Sequence, residues 1–174
     1  MMIDTARQAS GGEALQQAGL LMEQLRRLPL DEVIEFQRIL GSLQDESYNV
    51  DLWGAVLTIG ETVSDEGFLG FRGWLVGQGQ AVYEAAIANP DSLADLPELR
   101  ACEYPWCDQM WYVASEVHEE LTDGELPPYG SLPNKLIGSW WPYEEHHEQL
   151  RRRYPRLWAR FHTQTHPKAG GASA

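Results

Sequence analysis

Val63-Ser64-Asp65-Glu66-Gly67-Phe68-Leu69-Gly70-Phe71-Arg72-Gly73-Trp74-Leu75 is the stretch on which the reading of this chain turns. Ser64, followed by Asp65 and Glu66, reads as a helix N-cap with two acids in the first turn, where the positive end of the helix dipole favours them. Phe68, Phe71, Trp74 and Leu75 then recur at helical steps, so the segment is expected to be a helix with an apolar face. Gly77 and Gly79 interrupt it, each costing up to ~1 kcal/mol relative to alanine. A further helix runs from about Gln80 to Ala88, where Asn89-Pro90 stops it. Arg72 lies two turns beyond Asp65, between Phe71 and Trp74, and so borders apolar surface. A buried arginine needs a partner, and Asp65, Asp51 and Glu61 are the candidates.

Working outward, Ala14, Leu15, Ala18, Leu21, Met22, Leu25 and Leu28 make one apolar stripe on a helix that Pro29 ends. Asp31 and Glu32 open the next helix, with Ile34, Phe36, Ile39, Leu40 and Leu43 as its buried face. A short helix follows near 50–61, carrying Trp53, Val56, Leu57 and Gly60. Beyond Pro90, residues 91–107 read as loop with one helical turn. A helix is expected over about 106–121, with Met110, Val113, Ala114, Val117 and Leu121 inward. Gly124, Pro127, Pro128 and Pro133 mark a long irregular stretch. Trp140-Trp141-Pro142 opens a short acidic helix, and Pro155 opens the last one, with Leu157, Trp158 and Phe161. No strand alternation and no internal repeat is present. The expected fold is therefore all-α: a single-domain orthogonal bundle of about seven helices over residues 1–166. A long irregular segment precedes the C-terminal helices, and a disordered tail is expected over 167–174.

Composition limits the function. At 174 residues, 43% of them hydrophobic and seven of them tryptophan, the chain has core enough to fold without a disulfide or metal staple. Its formal net charge of −13 repels phosphate backbones and acidic membrane surfaces, so neither nucleic acid nor membrane is an expected partner. The basic cluster of Arg151, Arg152, Arg153, Arg156 and Arg160 reads as solvated or acid-paired surface. The first ten residues lack the basic start and apolar stretch of a secretory signal, and the expected location is cytoplasmic. Cys102 and Cys107 match no common zinc or redox spacing, and two reduced, partly buried thiols are expected.

The Asp51-Leu52-Trp53-Gly54-Ala55 run and the Val63–Leu75 block together resemble a bacterial family, domain of unknown function 4240. The likeness continues through Gly79, Tyr83 and Glu84 and the string Pro90-Asp91-Ser92-Leu93-Ala94. It reaches Tyr112-Val113-Ala114 and the closing Tyr154-Pro155-Arg156-Leu157-Trp158, covering about residues 3 to 162. The Cys102–Asp108 segment and the Trp140-Trp141 pair depart from the pattern. The resemblance implies a mainly helical bacterial domain and brings no activity or site residue with it.

Two functional readings follow from the residues. The first is a non-catalytic protein-interaction or regulatory module, with an unidentified protein partner docking on Trp106, Trp111, Trp140 and Trp141, which cluster around the irregular segments. The alternative is a small-molecule binder or enzyme with a pocket formed by Trp53, Asp65, Arg72, Trp74 and Tyr83, Arg72 offering its planar fork to a carboxylate or phosphate. The bland counterpart of that pocket is a structural ion pair locking the 50–61 helix to the one after it. His162 and His166 have helical ligand spacing but lack the H-E-x-x-H glutamate. Glu144, Glu145, His146, His147 and Glu148 read as a solvated face. Glu116 and Glu120 share a helix side from which His118 points away, and both read as surface acids. No metal and no cofactor is expected.

Overall fold

The computed structural model describes residues 2–60, 62–100, 105–126, 135–141 and 146–162. The fold is all-α. Its helices are α1 (Met2–Ala9), α2 (Ala14–Leu25), α3 (Leu30–Ser47), α4 (Val50–Gly60), α5 (Asp65–Gly77), α6 (Gln80–Ala88), α7 (Val113–Thr122), α8 (His146–Arg153) and α9 (Pro155–His162). Two 3-10 turns, Pro90–Asp95 and Asp108–Trp111, join them. Among the described residues no strand forms, and one isolated parallel bridge pairs Asn49 with Ile137. Glu61, Cys102, the prolines at 127, 128, 133 and 142, Glu144, Glu145, His166 and the expected tail lie outside the described residues, as does the side chain of His146.

The centre of the fold is α5. Ser64 caps it as its sequence indicates, accepting the backbone N–H of Gly67 at 3.0 Å. Beyond its first turn the helix is buried nearly all round: Phe68 and every residue from 70 to 77. α1, α2, α3, α6 and the 108–111 turn all pack against it. Phe68, Phe71, Leu75, Leu21, Leu40, Leu52, Met110 and Leu157 are among the largest fully buried side chains.

One face of α5 is a glycine seam. The Cys107 N–H donates to Gly70 O at 2.9 Å, and the Trp111 indole N–H donates to Leu69 O at 3.0 Å. A Cβ at 70 would collide with the Trp106 indole, and one at 73 with the Cys107 carbonyl. Glycine at these two positions therefore lets the 106–111 segment lie directly on the helix. Those bonds also correct the single helix expected from 106 to 121. Cys107 is held extended at φ −158° to reach Gly70, so the chain makes a short 3-10 turn first, and α7 begins at Val113. The seven expected helices also omitted α1, whose single buried residue, Ala6, leaves little periodic signal.

The C-terminal helices dock through two aspartates. Asp91 accepts the backbone N–H groups of Arg156 (3.1 Å) and Leu157 (2.9 Å), capping α9 from the 90–95 turn. The Tyr154 hydroxyl donates to Asp51 O at 2.7 Å, and Arg153 pairs with the Asp51 carboxylate at 2.8 Å. Arg160 donates to the carbonyls of Ala94, Leu96 and Leu99. Arg152 pairs with Glu148 and Arg156 with Asp95. Four of the five basic residues in this cluster are thus engaged with acids or carbonyls.

Candidate functional site

A cavity of about 540 Å³ opens where α5 ends and α6 begins. Gly79 makes that junction with φ 91°, a conformation that glycine adopts without strain. α1 contributes Met2, Ile3 and Asp4; α3 contributes Phe36, Ile39, Leu43 and Glu46; Val76, Gln80, Tyr83 and Glu84 complete the lining. Its apolar walls come from both sides, and among the described residues the carboxylates of Asp4, Glu46 and Glu84 line it without any lysine, arginine or histidine. Ile39, assigned by periodicity to the buried face of α3, is instead 46% exposed at this opening, whereas Val33 and Leu40 are the apolar residues that α3 buries fully.

Tyr83 is the buried polar group of the cavity. Its hydroxyl reaches Leu43 O at 2.8 Å and lies 3.1 Å from a Glu46 carboxylate oxygen. Burial, reinforced by the negative charge of Glu46, pushes its pKa well above the ordinary phenol value. It is therefore a neutral donor at physiological pH and no candidate for a base.

Of the five residues predicted to form a pocket, Tyr83 alone lines this cavity. Arg72, 3% exposed, reaches the same end of α3 by another route: its Nη1 donates to Gln44 O at 2.7 Å. Arg72 and Tyr83 thus join the Ser47 hydroxyl in donating to the neighbouring Gln44 and Leu43 carbonyls in the last turns of α3, where the dipole is negative. The guanidinium lies over the Tyr48 and Phe68 rings, 4.8 and 5.0 Å from their centroids, which adds cation–π attraction. Its Nε is buried without a partner among the described residues. Desolvation lowers the Arg72 pKa to about 10, so the group stays charged at neutral pH.

Arg72 pairs with neither Asp65 nor Asp51, and Glu61, the third candidate partner, lies outside the described residues. Asp65 is exposed in the first turn of α5, and Asp51 is engaged by Arg153. Trp53 joins Tyr48, Phe68 and Trp140 in an aromatic cluster, 4.6 Å from Phe68 and 5.8 Å from Trp140. Trp74 is buried beside Phe71. Trp53, Asp65, Arg72 and Trp74 are accordingly distributed around α5 and do not converge on one opening.

The model of a family described as "Protein of unknown function (DUF4240)" matches residues 1–120. The chain belongs to the DUF4240 family. No curated protein and no solved structure matches it. The match takes in the cavity, the α5 seam and Arg72, and stops short of Trp140 and of the Tyr154–Trp158 string. That string, outside the DUF4240 match, is nonetheless fastened to Asp51 and Asp91 inside it.

The four tryptophans proposed as one interaction surface separate. Trp111 and Trp141 are only 4% and 8% exposed, Trp111 through its bond to Leu69 O and Trp141 beneath the Arg153 guanidinium. Trp106 and Trp140 are 59% and 43% exposed. Trp106 sits on Gly70, while Trp140 reaches Phe68 through Trp53. Positions 68 and 70 lie about 200° apart around a helix, so the two indoles approach α5 from opposite sides.

The remaining polar candidates have structural partners. His118 Nδ1 lies 3.0 Å from Gly124 O, and His162 Nε2 lies 2.7 Å from Thr58 O. Glu120 holds Arg26 in a two-point pair, and Glu116 accepts from Gln109. Cys107 is a free, buried thiol whose pKa burial pushes up. Among the described residues no group of three metal-ligating side chains occurs, and no helix is long and apolar enough to cross a membrane. The cavity itself escaped the sequence reading because its walls come from four helices, including the overlooked α1.

Proposed function

We propose that this protein is a non-catalytic binding module whose small, apolar-bodied ligand occupies the cavity between α1, α3 and α6. The observation that carries this reading is the cavity: about 540 Å³, within the usual range for small-molecule sites, apolar in its walls and with a few polar groups at defined places. The neutral Tyr83 hydroxyl, already held by Leu43 O, suits orientation of a ligand and not proton abstraction. The test is calorimetric titration with three probes sharing one body: phenylbutylamine, phenylbutanol and phenylbutanoate. At least one is expected to bind with a stoichiometry of one, and Ile39→Trp, which drives an indole into the opening from a half-exposed position, is expected to abolish that binding. Failure of all three probes, or unchanged binding by Ile39→Trp, would contradict the reading.

A second reading, a protein-docking surface, draws on the exposure of Trp106 and Trp140. Because they approach α5 from opposite sides, this reading requires that a single alanine substitution at one of them removes a complex while the other leaves it intact. Loss of folding in both variants would count against it.

A further inference from the structure

We infer that the cavity selects an organic ammonium: a cationic head at the carboxylate rim and an aryl or alkyl body against Phe36, Ile39 and Leu43. This inference rests on the binding reading above and names the ligand's chemistry. The carboxylates of Glu46 and Glu84 share the mouth with Ile39, while Phe36 and Leu43 are half-buried. Val76 and Tyr83 are buried, whereas Glu46 and Glu84 are exposed and Asp4 is half-buried. A ligand that satisfies both kinds of group is amphipathic, with its charge outward.

The sign of that charge follows from the lining. Among the described residues no basic side chain borders the cavity, and the Glu46 and Glu84 carboxylates at its mouth would repel an anionic head. The chain's net charge of −13 adds to this by raising the local concentration of cations over anions. A bare metal ion fits poorly. It needs six or more oxygen donors converging on one point or a retained water shell, and the apolar walls supply neither. An ammonium needs only two or three acceptors on one side and tolerates apolar contact with its own chain. Phe36 and Tyr83 also offer ring surface, to which a cation is attracted.

The acceptors are in place. Glu84 accepts from Gln80 Nε2 at 2.6 Å through one oxygen, and Glu46 meets the Tyr83 hydroxyl through one oxygen. A carboxylate has about four lone-pair sites, so each retains capacity for a ligand N–H. Replacing both with glutamine keeps a carbonyl acceptor for Gln80 and Tyr83 and removes the charge, one oxygen of each carboxylate becoming an amide donor.

The three probes of equal body separate this inference from the reading beneath it. Phenylbutylamine is expected to bind about tenfold more tightly than phenylbutanol, the scale of two or three partly exposed ion pairs, and phenylbutanoate more weakly than either. Added salt is expected to weaken the amine and leave the alcohol unchanged. The double variant Glu46→Gln/Glu84→Gln, its fold checked by circular dichroism, is expected to bring the amine down to the affinity of the alcohol. Equal binding of amine and alcohol by the unmodified protein, or a preference that survives the double substitution, overturns the ammonium inference while leaving a cavity that binds. Failure of all three probes overturns both.

Discussion

Along one face of α5, Gly70 and Gly73 let the Trp106 indole and the Cys107 backbone lie so close that no Cβ fits at either position. At the C-terminal end of the same helix, the chain turns through Gly79 and borders a space of about 540 Å³. Glycine serves different ends in the two regions. In the seam it removes volume so that indole and backbone pack on the helix. At the junction with α6 it permits a left-handed turn against the Asp4 carboxylate, at the edge of the cavity. The seam is satisfied internally, by the Cys107–Gly70 and Trp111–Leu69 bonds. The cavity keeps carboxylates and apolar walls that nothing in the chain's described residues covers fully.

Substitutions test that contrast. Gly73→Ala is expected to have the largest effect, about 3 kcal/mol or more, because the Cys107 carbonyl is backbone and has no rotamer with which to move aside. Denaturant midpoints measure it, and a loss below about 1 kcal/mol would show the seam to be pliable. Arg72→Met comes next. It removes a costly buried charge but leaves the Gln44 carbonyl with only the longer Ser47 hydroxyl contact and loses the aromatic contacts, for a net loss of about 1–2 kcal/mol. Increased stability instead would mean that desolvation of the guanidinium outweighs its role at the end of α3.

Tyr83→Phe is expected to cost about 1 kcal/mol near neutral pH, by removing one of the two side-chain donors to Leu43 O, the Ser47 hydroxyl being the other. Its pH signature is more specific. The Tyr83 and Tyr154 pKa values are both raised by burial, so the stability they contribute is complete below about pH 10 and is lost as pH climbs toward their folded-state values. Arg72, lowered to about 10, acts oppositely: the cost of burying its charge is relieved as pH rises above about 10 toward its higher unfolded value. Two tyrosines against one arginine leave a net alkaline loss. Tyr83→Phe should make that loss shallower in urea midpoints compared between about pH 8 and about pH 11. An unchanged slope would place the alkaline sensitivity elsewhere.

The smaller effects sharpen the comparison. Gly41 lies inside α3 with open space where its Cβ would be, so Gly41→Ala should stabilise by about 0.5–1 kcal/mol, the reverse of Gly73→Ala. Ile39→Trp should change stability by less than about 0.5 kcal/mol while removing ligand binding, since it adds a ring to a half-exposed opening and takes nothing from the core.

What the residues disclosed in advance was whatever depends on local spacing. The Ser64 cap, the termination of α6 before Pro90 and the buried stripe of Ala18, Leu21 and Leu25 all follow from short-range rules. Long-range partners did not. Arg72 carries a visible need for compensation, but an aspartate along its own helix face is no more legible a partner than the carbonyl end of α3, 28 residues away. Leu15 belongs to the apolar stripe of α2 by spacing and is 69% exposed, because which side of a stripe is covered depends on its neighbours. Tyr83 was identified within a pocket whose other members turned out to be elsewhere. The walls that do accompany it, Met2, Ile3, Phe36 and Ile39, come from helices that meet only in three dimensions. Asp91 capping α9 across 66 residues is the same lesson in a structural role.

The most direct test of the account is an NMR titration of the intact chain with phenylbutylamine, following the side-chain methyls of Met2, Ile3, Ile39, Leu43 and Val76 with the tryptophan indole N–H groups as internal controls. The account expects saturable shifts confined to those methyls, absent in Ile39→Trp, with the indole signals of Trp106 and Trp140 unmoved. Shifts at the indoles with silent cavity methyls, or no shift anywhere, would contradict it.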